Sequence, residues 1–261
     1  KTLVATLAVR ALGPDHVVGA SMPGRFSSEG SKGDAFDLAK NLGIACVSMP
    51  IEPGFAGLSE VLNPAFTELG HKELGETLPD LTQENLQSRI RGTMMMALSN
   101  RSGALVLTTG NKSEIAVGYC TLYGDMNGGL AVIADLPKTM VFKVSRYINK
   151  HYESLGFSCP PIPTSTIEKP PSAELAPNQL DSDSLPDYEI LDEIVLRHIE
   201  KHQSTSRIVE ETGFDPDVVR RFCKLIDRNE YKRQQMAVGL RVTSKAFGTG
   251  RRMPIAQRWT R

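Results

Sequence analysis

The chain has 261 residues, a hydrophobic content of 40%, and 30 Lys and Arg residues against 30 Asp and Glu residues. This length predicts one large domain, or one domain with an appendage, and the hydrophobic content excludes a wholly disordered chain. The balanced charge gives no general attraction to nucleic acid or to anionic membranes, so neither is expected as a partner.

The cysteines and the apolar runs indicate the compartment. Cys46, Cys120, Cys159 and Cys223 are dispersed without a CxxC pair, which argues against a zinc ribbon and favours free thiols in a reducing cytoplasm. No apolar run reaches the roughly 18 residues of a membrane-spanning helix. The N-terminal KTLVATLAVRALG is interrupted by Arg10 and lacks a cleavage signal, so it is predicted to be a helix and not a signal peptide.

The first half of the chain alternates between short apolar strands and helices. The pattern predicts helices at 1–13, 34–43, 80–101 and from 111, and strands at 16–23, 44–50 and 103–110. In the long helix, Asp80 or Thr82 is the expected cap, and an apolar stripe runs through Leu86, Ile90, Met94 and Leu98. Repeated strand–helix units with apolar strands predict an α/β fold, with a parallel sheet covered by helices on both faces.

The composition changes at Ser158. Seven of the 16 prolines lie between Cys159 and Pro186, which predicts a long loop without regular elements. The chain is therefore divided into an α/β core at 1–157, a Pro-rich loop at 158–187 and a helical region at 188–261.

Charge is segregated in the C-terminal part of the chain. Acidic residues predominate in 168–200 and basic residues in 228–261. Two explanations stay open: the segments pair with each other, or the basic one binds an anionic ligand.

Polar residues follow two predicted strands, at the edge where open parallel sheets bind ligands. PGRFSS (23–28) places Arg25 beside two hydroxyls on a Gly/Pro turn, and TTGNKSE (108–114) places Thr109, Lys112 and Glu114 at the start of a helix. Free backbone N–H groups at a helix start favour phosphate. Each cluster taken alone is equally well explained as a capped turn, but two clusters at one sheet edge favour a ligand site.

A Gly-rich stretch at 118–138 is the third candidate. Long loops inside compact domains are usually functional, and Asp125 and Asp135 are candidates for metal or hydroxyl contacts. The alternative is a surface loop with ordinary turns. Glu114 is the better candidate for Mg²⁺, because a Mg²⁺ ion that bridges phosphates needs only one or two protein carboxylates.

Seven segments together resemble one family, the NAD⁺ synthetases, and in particular the synthetase half of the glutamine-dependent enzymes. They cover almost the whole chain in order: PGRFSS, LTQENLQSRIRGTMMM, LTTGNKSE, GYCTLYGDMNGGLAVIADLPKTMVF, KPPSAEL, DSLPDYEILD and EYKRQQ…AFGTGRRMPI.

The resemblance implies an adenine nucleotide alpha hydrolase-like fold of the N-type ATP pyrophosphatases, with a five-stranded parallel sheet, helices on both faces and a helical C-terminal region. It also implies a reaction in two steps. ATP, with Mg²⁺, adenylates the nicotinate carboxylate of deamido-NAD⁺ and releases pyrophosphate. Ammonia then displaces AMP to give NAD⁺.

Carried over by position, the resemblance assigns roles to nine residues. The implied ATP contacts are Arg25, Thr109, Lys138 and Ser172, and the implied deamido-NAD⁺ contacts are Asn85 and Arg89 on the inner face of the long helix, Glu114, Tyr231 and Lys232. Glu114 matches the acid at the substrate and Mg²⁺ site, and is therefore the implied catalytic residue and metal ligand.

Two family features do not occur in this sequence: the phosphate-binding SGGxDS loop and the glutamine amidohydrolase domain that supplies ammonia. Lys1 resembles the start of the helix after that loop, so the chain is interpreted as part of a longer protein. The resemblance implies a cytoplasmic homo-oligomer, a dimer or an octamer built on it. Two alternatives stay open: another N-type ATP pyrophosphatase, such as a GMP- or asparagine-synthetase-like enzyme, and a nucleotide-binding module without catalysis.

Overall fold

The computed structural model describes residues 1–75, 78–248, 250–251 and 253–256, and the chain divides into two compact units. The first unit comprises Lys1–Gly103 and Ser145–Asp183, and the second comprises Ala104–Val144 and Ser184–Arg261. In the part of the chain described, no helix is both long enough and apolar enough to cross a bilayer.

The elements alternate between helices and short strands. In chain order they are α1 (Thr2–Leu12), β1 (Val18–Ser21), α2 (Glu29–Leu42), β2 (Ala45–Ser48), α3 (Glu52–Glu68), α4 (Leu81–Ser102), β3 (Leu107–Thr108), α5 (Lys112–Val117), β4 (Leu130–Ala131), α6 (Lys138–Lys150), α7 (Thr164–Glu168), α8 (Tyr188–Val195), α9 (Thr205–Thr212), α10 (Pro216–Arg228), α11 (Glu230–Arg233) and β5 (Val238–Gly239).

The predicted long helix is confirmed as α4, and local signals define both of its ends. Asp80 caps it by accepting a hydrogen bond from the backbone N of Gln83 at 3.0 Å. Gly103 ends it in the left-handed conformation, which glycine adopts without steric cost. Leu86 and Met94 of the predicted stripe pack against an apolar cluster of Ile51, Phe55 and Ile90.

The strands form two parallel sheets, which confirms the α/β class. In the first unit β1 pairs with β2, and in the second the order is β3-β4-β5. No ladder between the two sheets is present among the described residues, so a single five-stranded sheet is not observed.

The expectation that the first strands are buried is wrong for the described structure. Val18 on β1 is 59% exposed and Val47 on β2 is 39% exposed. The reason is that a sheet of two strands has an edge on each side and leaves much of its surface uncovered.

The second half of the chain also departs from the sequence pattern. The Pro-rich segment contains the short helix α7, which begins directly after Pro163, and the region predicted to be only helical contains strand β5. Proline is tolerated at a helix start because the first N–H groups of a helix have no internal partner. The Gly-rich stretch contains strand β4, which lies between β3 and β5.

The core of the second unit forms where α5, α8 and α10 pack together. Ala116, Leu191, Ile194, Val219 and Ile226 are fully or almost fully buried there. Short helix α5 is therefore held from several sides, and this fixes the residues at its start.

Candidate functional site

Glu114 and Lys138 form an ion pair in the second unit, just past the carboxyl end of β3. Nζ of Lys138 lies 2.8 Å from Oε1 of Glu114, and the two side chains are 15% and 20% exposed, respectively. Oε2 of Glu114 accepts a hydrogen bond from the backbone N of Asn111 at 3.1 Å. In return, Oδ1 of Asn111 accepts a hydrogen bond from the backbone N of Glu114, also at 3.1 Å. Glu114 thus completes a capping box for α5 and also holds a cation beside it.

The start of α6, where Lys138 lies, is fixed by two polar contacts. The backbone N of Lys138 donates to Oγ of Ser113, and the backbone N of Thr139 donates to Oδ2 of Asp192, both at 2.8 Å. The Lys138 ammonium also lies 5.0 Å from the centroid of the Tyr188 ring. This ammonium is therefore positioned before any ligand binds.

Thr109 lies between β3 and Asn111 and is half-buried. Its hydroxyl makes no hydrogen bond to the rest of the described chain, so a ligand can use it as a donor or acceptor.

Lys232 lies on α11 and holds the turn that ends α5. Its Nζ donates to the carbonyl oxygens of Gly118 and Cys120, both at 2.8 Å. An ammonium has three N–H donors, so one remains for a ligand. The neighbouring Tyr231 is 41% exposed.

Lys112 has no access to a ligand, contrary to the predicted cation at the start of this helix. Its side chain is 0% exposed, and Nζ lies 2.8 Å from Oδ1 of Asp135 and 2.9 Å from Oε1 of Glu200. It also donates to Oγ1 of Thr243 at 2.7 Å. A buried charge needs such partners, so Lys112 acts as a structural centre.

Asp135 is likewise not a ligand contact. Its Oδ2 accepts hydrogen bonds from the backbone N of Val242 at 2.8 Å and of Thr243 at 2.7 Å. Burial alone would raise the pKa of Asp135, but the hydrogen bonds from Lys112, Thr243 and Val242 outweigh it and lower the pKa. Asp125 is exposed and accepts a hydrogen bond from the backbone N of Thr121 at 2.6 Å.

In the first unit, Arg25 follows β1 and pairs with Glu52 at the start of α3. Nε of Arg25 lies 3.3 Å from Oε2 of Glu52, and the guanidinium also lies 4.9 Å from the centre of the Phe55 ring. About half of each charged side chain is exposed, so a stronger anionic partner can displace this pair.

A second cluster in the first unit joins the PGRFSS and KPPSAEL segments. Nζ of Lys169 donates to Oγ of Ser28 at 2.8 Å, to Oγ of Ser31 at 2.6 Å and to Oε1 of Glu174 at 2.5 Å. Oγ of Ser172 accepts from the backbone N of Glu174 at 3.0 Å. Sequence analysis did not single out Lys169, because nothing in the sequence links it to serines so distant along the chain.

Asn85 and Arg89 lie on α4 with different exposure. Asn85 is half-buried and Arg89 is exposed. Their expected contact with deamido-NAD⁺ stays a prediction. Arg91, also on α4, is less exposed than Arg89, and its Nε donates to the carbonyl oxygen of Met22 at 3.0 Å. Burial lowers the pKa of Arg91, and the negative charge of Glu174 opposes this shift.

The described residues offer neither a site built from several metal-binding side chains nor a reactive thiol at Cys120 or Cys223. They contain no group of three or more His, Cys, Asp and Glu side chains able to hold a metal ion. Burial first, and then the negative charge of a nearby aspartate, raise the pKa of both Cys120 and Cys223 to about 12. Neither thiol is therefore suited to act as a nucleophile at neutral pH.

Comparisons with known proteins place these residues in a family context. A family model described as NAD synthase matches residues 1–236. The glutamine-dependent NAD(+) synthetase of Synechocystis is 51% identical over 256 residues, which cover 98% of this chain and 43% of that protein. The chain thus spans less than half the length of the curated relatives it matches.

Two solved structures are similar to the chain. The glutamine-dependent NAD+ synthetase of Acinetobacter baumannii, in complex with ADP, is 41% identical with a TM-score of 0.58, over 99% of this chain and 44% of that one. The NMN synthetase of Francisella tularensis is 21% identical with a TM-score of 0.66, over 93% of this chain and 83% of that one. At that identity the second likeness shows the fold alone.

Proposed function

The chain belongs to the NAD synthase family, and we propose that within the complete protein it carries out the ATP-dependent amidation of deamido-NAD⁺ to NAD⁺. ATP transfers its adenylyl group to the nicotinate carboxylate and releases pyrophosphate. Ammonia then attacks the activated carboxyl carbon and AMP leaves. The names of the relatives and the ADP bound to the Acinetobacter baumannii structure support a nucleotide site of this kind.

The observation that carries this proposal is the Glu114–Lys138 pair at the start of α5, together with the available hydroxyl of Thr109, two residues before the cap Asn111. Negative charge develops on the phosphates as the adenylate forms. A fixed ammonium and a hydroxyl donor can stabilise that charge without moving, and such preorganised donors supply large rate gains. We assign Arg25, Thr109, Lys138 and Ser172 as ATP contacts.

For deamido-NAD⁺ we propose contacts to Asn85, Arg89, Glu114, Tyr231 and Lys232. A substrate with a carboxylate and two phosphates needs cations and hydrogen-bond donors, which Lys232 and Arg89 supply. Tyr231 offers an exposed ring and hydroxyl.

We propose Mg²⁺ as the companion of ATP. Glu114 is a single carboxylate, and both its oxygens already have partners. This donor set suits an ion held mainly by phosphates, for which one or two protein carboxylates suffice. Bound in this way, Mg²⁺ would neutralise phosphate charge, while Glu114 would orient the ion and Lys138.

The remaining proposals concern the complete protein. Ammonia would come from a glutamine amidohydrolase domain, since the curated relatives are named as glutamine-dependent. A cytoplasmic homo-oligomer and the single five-stranded sheet of the ATP pyrophosphatases complete the proposal.

The test follows the products of the complete protein with ATP and deamido-NAD⁺. With ammonium we expect NAD⁺, AMP and pyrophosphate in equal amounts, and with glutamine the same products only when the amidohydrolase domain is present. Formation of ADP and phosphate would contradict the proposed reaction. Turnover with xanthosine monophosphate or aspartate in place of deamido-NAD⁺ would favour the other pyrophosphatases.

Lys232→Ala should weaken the binding of deamido-NAD⁺ by about 1–3 kcal/mol, the range for a hydrogen bond to a charged group. Isothermal titration calorimetry on the complete protein measures this directly. Because Lys232 also holds the carbonyl groups of Gly118 and Cys120, Lys232→Arg is the control. It keeps a charge and donors for the turn, and should retain more affinity than the alanine variant. Unchanged affinity in Lys232→Ala would remove this residue from the site.

A further inference from the structure

The second unit contains a small cavity whose lining includes neither Glu114 nor Lys138. Its volume is about 280 Å³, and its lining includes Glu200, His202, Arg241, Ser244 and Lys245. None of these residues belongs to the proposed contacts for ATP or deamido-NAD⁺. Arg241 and Lys245 come from the basic C-terminal segment, whose role the proposed function leaves open.

The two cations at this cavity are not neutralised by acids. Nζ of Lys245 lies 3.0 Å from Nε2 of His202. The guanidinium of Arg241 donates to the carbonyl oxygens of Thr243 and Ser244. Within the described chain, neither cation has a carboxylate partner.

Both carboxylate oxygens of Glu200, the acidic residue in the lining, already accept hydrogen bonds. Oε1 of Glu200 accepts from Nζ of Lys112 at 2.9 Å, and its Oε2 accepts from the hydroxyl of Ser244. Burial alone would raise the pKa of Glu200, but these two hydrogen bonds outweigh it and lower the pKa. The cations Lys112, Arg241 and Lys245 carry three positive charges. The carboxylates of Glu200 and Asp135 carry two negative charges, so the local charge is positive.

The backbone around the cavity leaves room for a ligand. His202 has a φ of 56°, a left-handed conformation that is uncommon outside glycine and asparagine. Gly250 is also part of the lining and adds no side-chain bulk. The imidazole of His202 is thus presented at the cavity by a constrained backbone.

We propose that this cavity is a second anion site, which binds a small phosphate-class oxyanion through Lys245, Arg241 and His202. The charge favours an anion, and the donors are those that bind phosphate in proteins. The size decides among phosphate ligands, because pockets for drug-sized molecules run from about 300 to 1,000 Å³. The cavity therefore suits phosphate or pyrophosphate, and not a whole dinucleotide.

The experiment is a calorimetric titration of the complete protein with inorganic pyrophosphate, repeated with inorganic phosphate. We expect Lys245→Gln to weaken one binding event by about 10- to 100-fold, the equivalent of one charged hydrogen bond. Lys201→Gln is the matched control, since Lys201 is an exposed neighbour that does not line the cavity. It should bind like the unmodified protein.

The outcomes separate this site from the proposed reaction. Pyrophosphate can also bind at the reaction site, and that binding event should be unchanged in Lys245→Gln. If the event at the reaction site is missing, the result bears on the proposed function and not on the cavity. Competition by ATP would assign the cavity to the phosphates of a nucleotide, and a lack of competition to free pyrophosphate; both support an oxyanion site. Identical titrations of Lys245→Gln, Lys201→Gln and the unmodified protein would overturn it.

A second variant covers the possibility that Lys245→Gln does not fold. His202→Asn removes the imidazole but keeps a residue that tolerates a left-handed backbone. It should weaken the same binding event, with circular dichroism and thermal unfolding unchanged. Unaltered binding in this folded variant would also contradict the proposal.

Discussion

Glu114→Gln should reduce ATP–pyrophosphate exchange by about 10²–10³, the loss measured when one preorganised polar group is removed from an active site. Glutamine keeps an oxygen that can accept from the backbone N of Asn111, so the capping box at α5 survives. The change therefore removes mainly the negative charge beside Lys138. The measurement is deamido-NAD⁺-dependent exchange across a series of Mg²⁺ concentrations, in which we also expect the optimum to shift.

The stability of the Glu114→Gln variant distinguishes a chemical role from a structural one. The amide oxygen of glutamine can still accept from the backbone N of Asn111 and from the Lys138 ammonium, so the melting temperature should stay close to that of the unmodified protein. Glu189→Gln, which alters an exposed first-turn acid of α8, is the matched control and should leave exchange intact. Normal exchange together with a lowered melting temperature in Glu114→Gln would reduce Glu114 to a helix cap.

Asp135→Asn should lower the free energy of unfolding by about 3–5 kcal/mol, because it removes one partner of a buried ion pair and leaves Lys112 undercompensated. The side chain of Lys112 is 0% exposed and lies 2.8 Å from Asp135. Denaturant unfolding of the complete protein measures the loss. Asp217→Asn is the control, since Asp217 is 85% exposed and pairs with Arg220 at the surface. A loss no larger than in this control would contradict the role of Asp135.

The contribution of Asp135 also depends on pH in a defined direction. Its pKa in the folded protein lies below the ordinary value for aspartate of about 3.9. A lowered pKa adds stability above the unfolded-state pKa, and this stability is lost as the pH falls through the folded-state pKa. The difference in unfolding free energy between the unmodified protein and Asp135→Asn should therefore be constant near neutral pH and shrink below about pH 4.

Local signals in the sequence were sufficient for much of the secondary structure. The cap at Asp80, the left-handed stop at Gly103 and the apolar stripe of α4 each act within a few residues, so the sequence shows them directly. The long family motifs likewise identified the family, which the match over residues 1–236 confirms.

The sequence did not show which side chains are buried. A lysine in TTGNKSE is typical of an exposed phosphate contact, and an aspartate after a Gly-rich stretch is typical of a ligand site. Lys112 and Asp135 instead pair inside the second unit, where the backbone N–H groups of Val242 and Thr243 donate to Asp135 and the hydroxyl of Thr243 accepts from Lys112. Those partners are more than 100 residues further along the chain, beyond the reach of any local pattern.

By itself the sequence determined the α/β class, the family and the bounds of the long helix α4. Only the tertiary structure decided that Glu114 forms an ion pair with Lys138. It also decided that Lys169 donates to Ser28 and Ser31, and that Lys245 contacts His202 at a cavity. The physical reason is the separation along the sequence between the groups that interact. Caps and helix periodicity arise from hydrogen bonds within a few residues, whereas the charge and burial of a side chain depend on groups that only folding brings within about 3 Å.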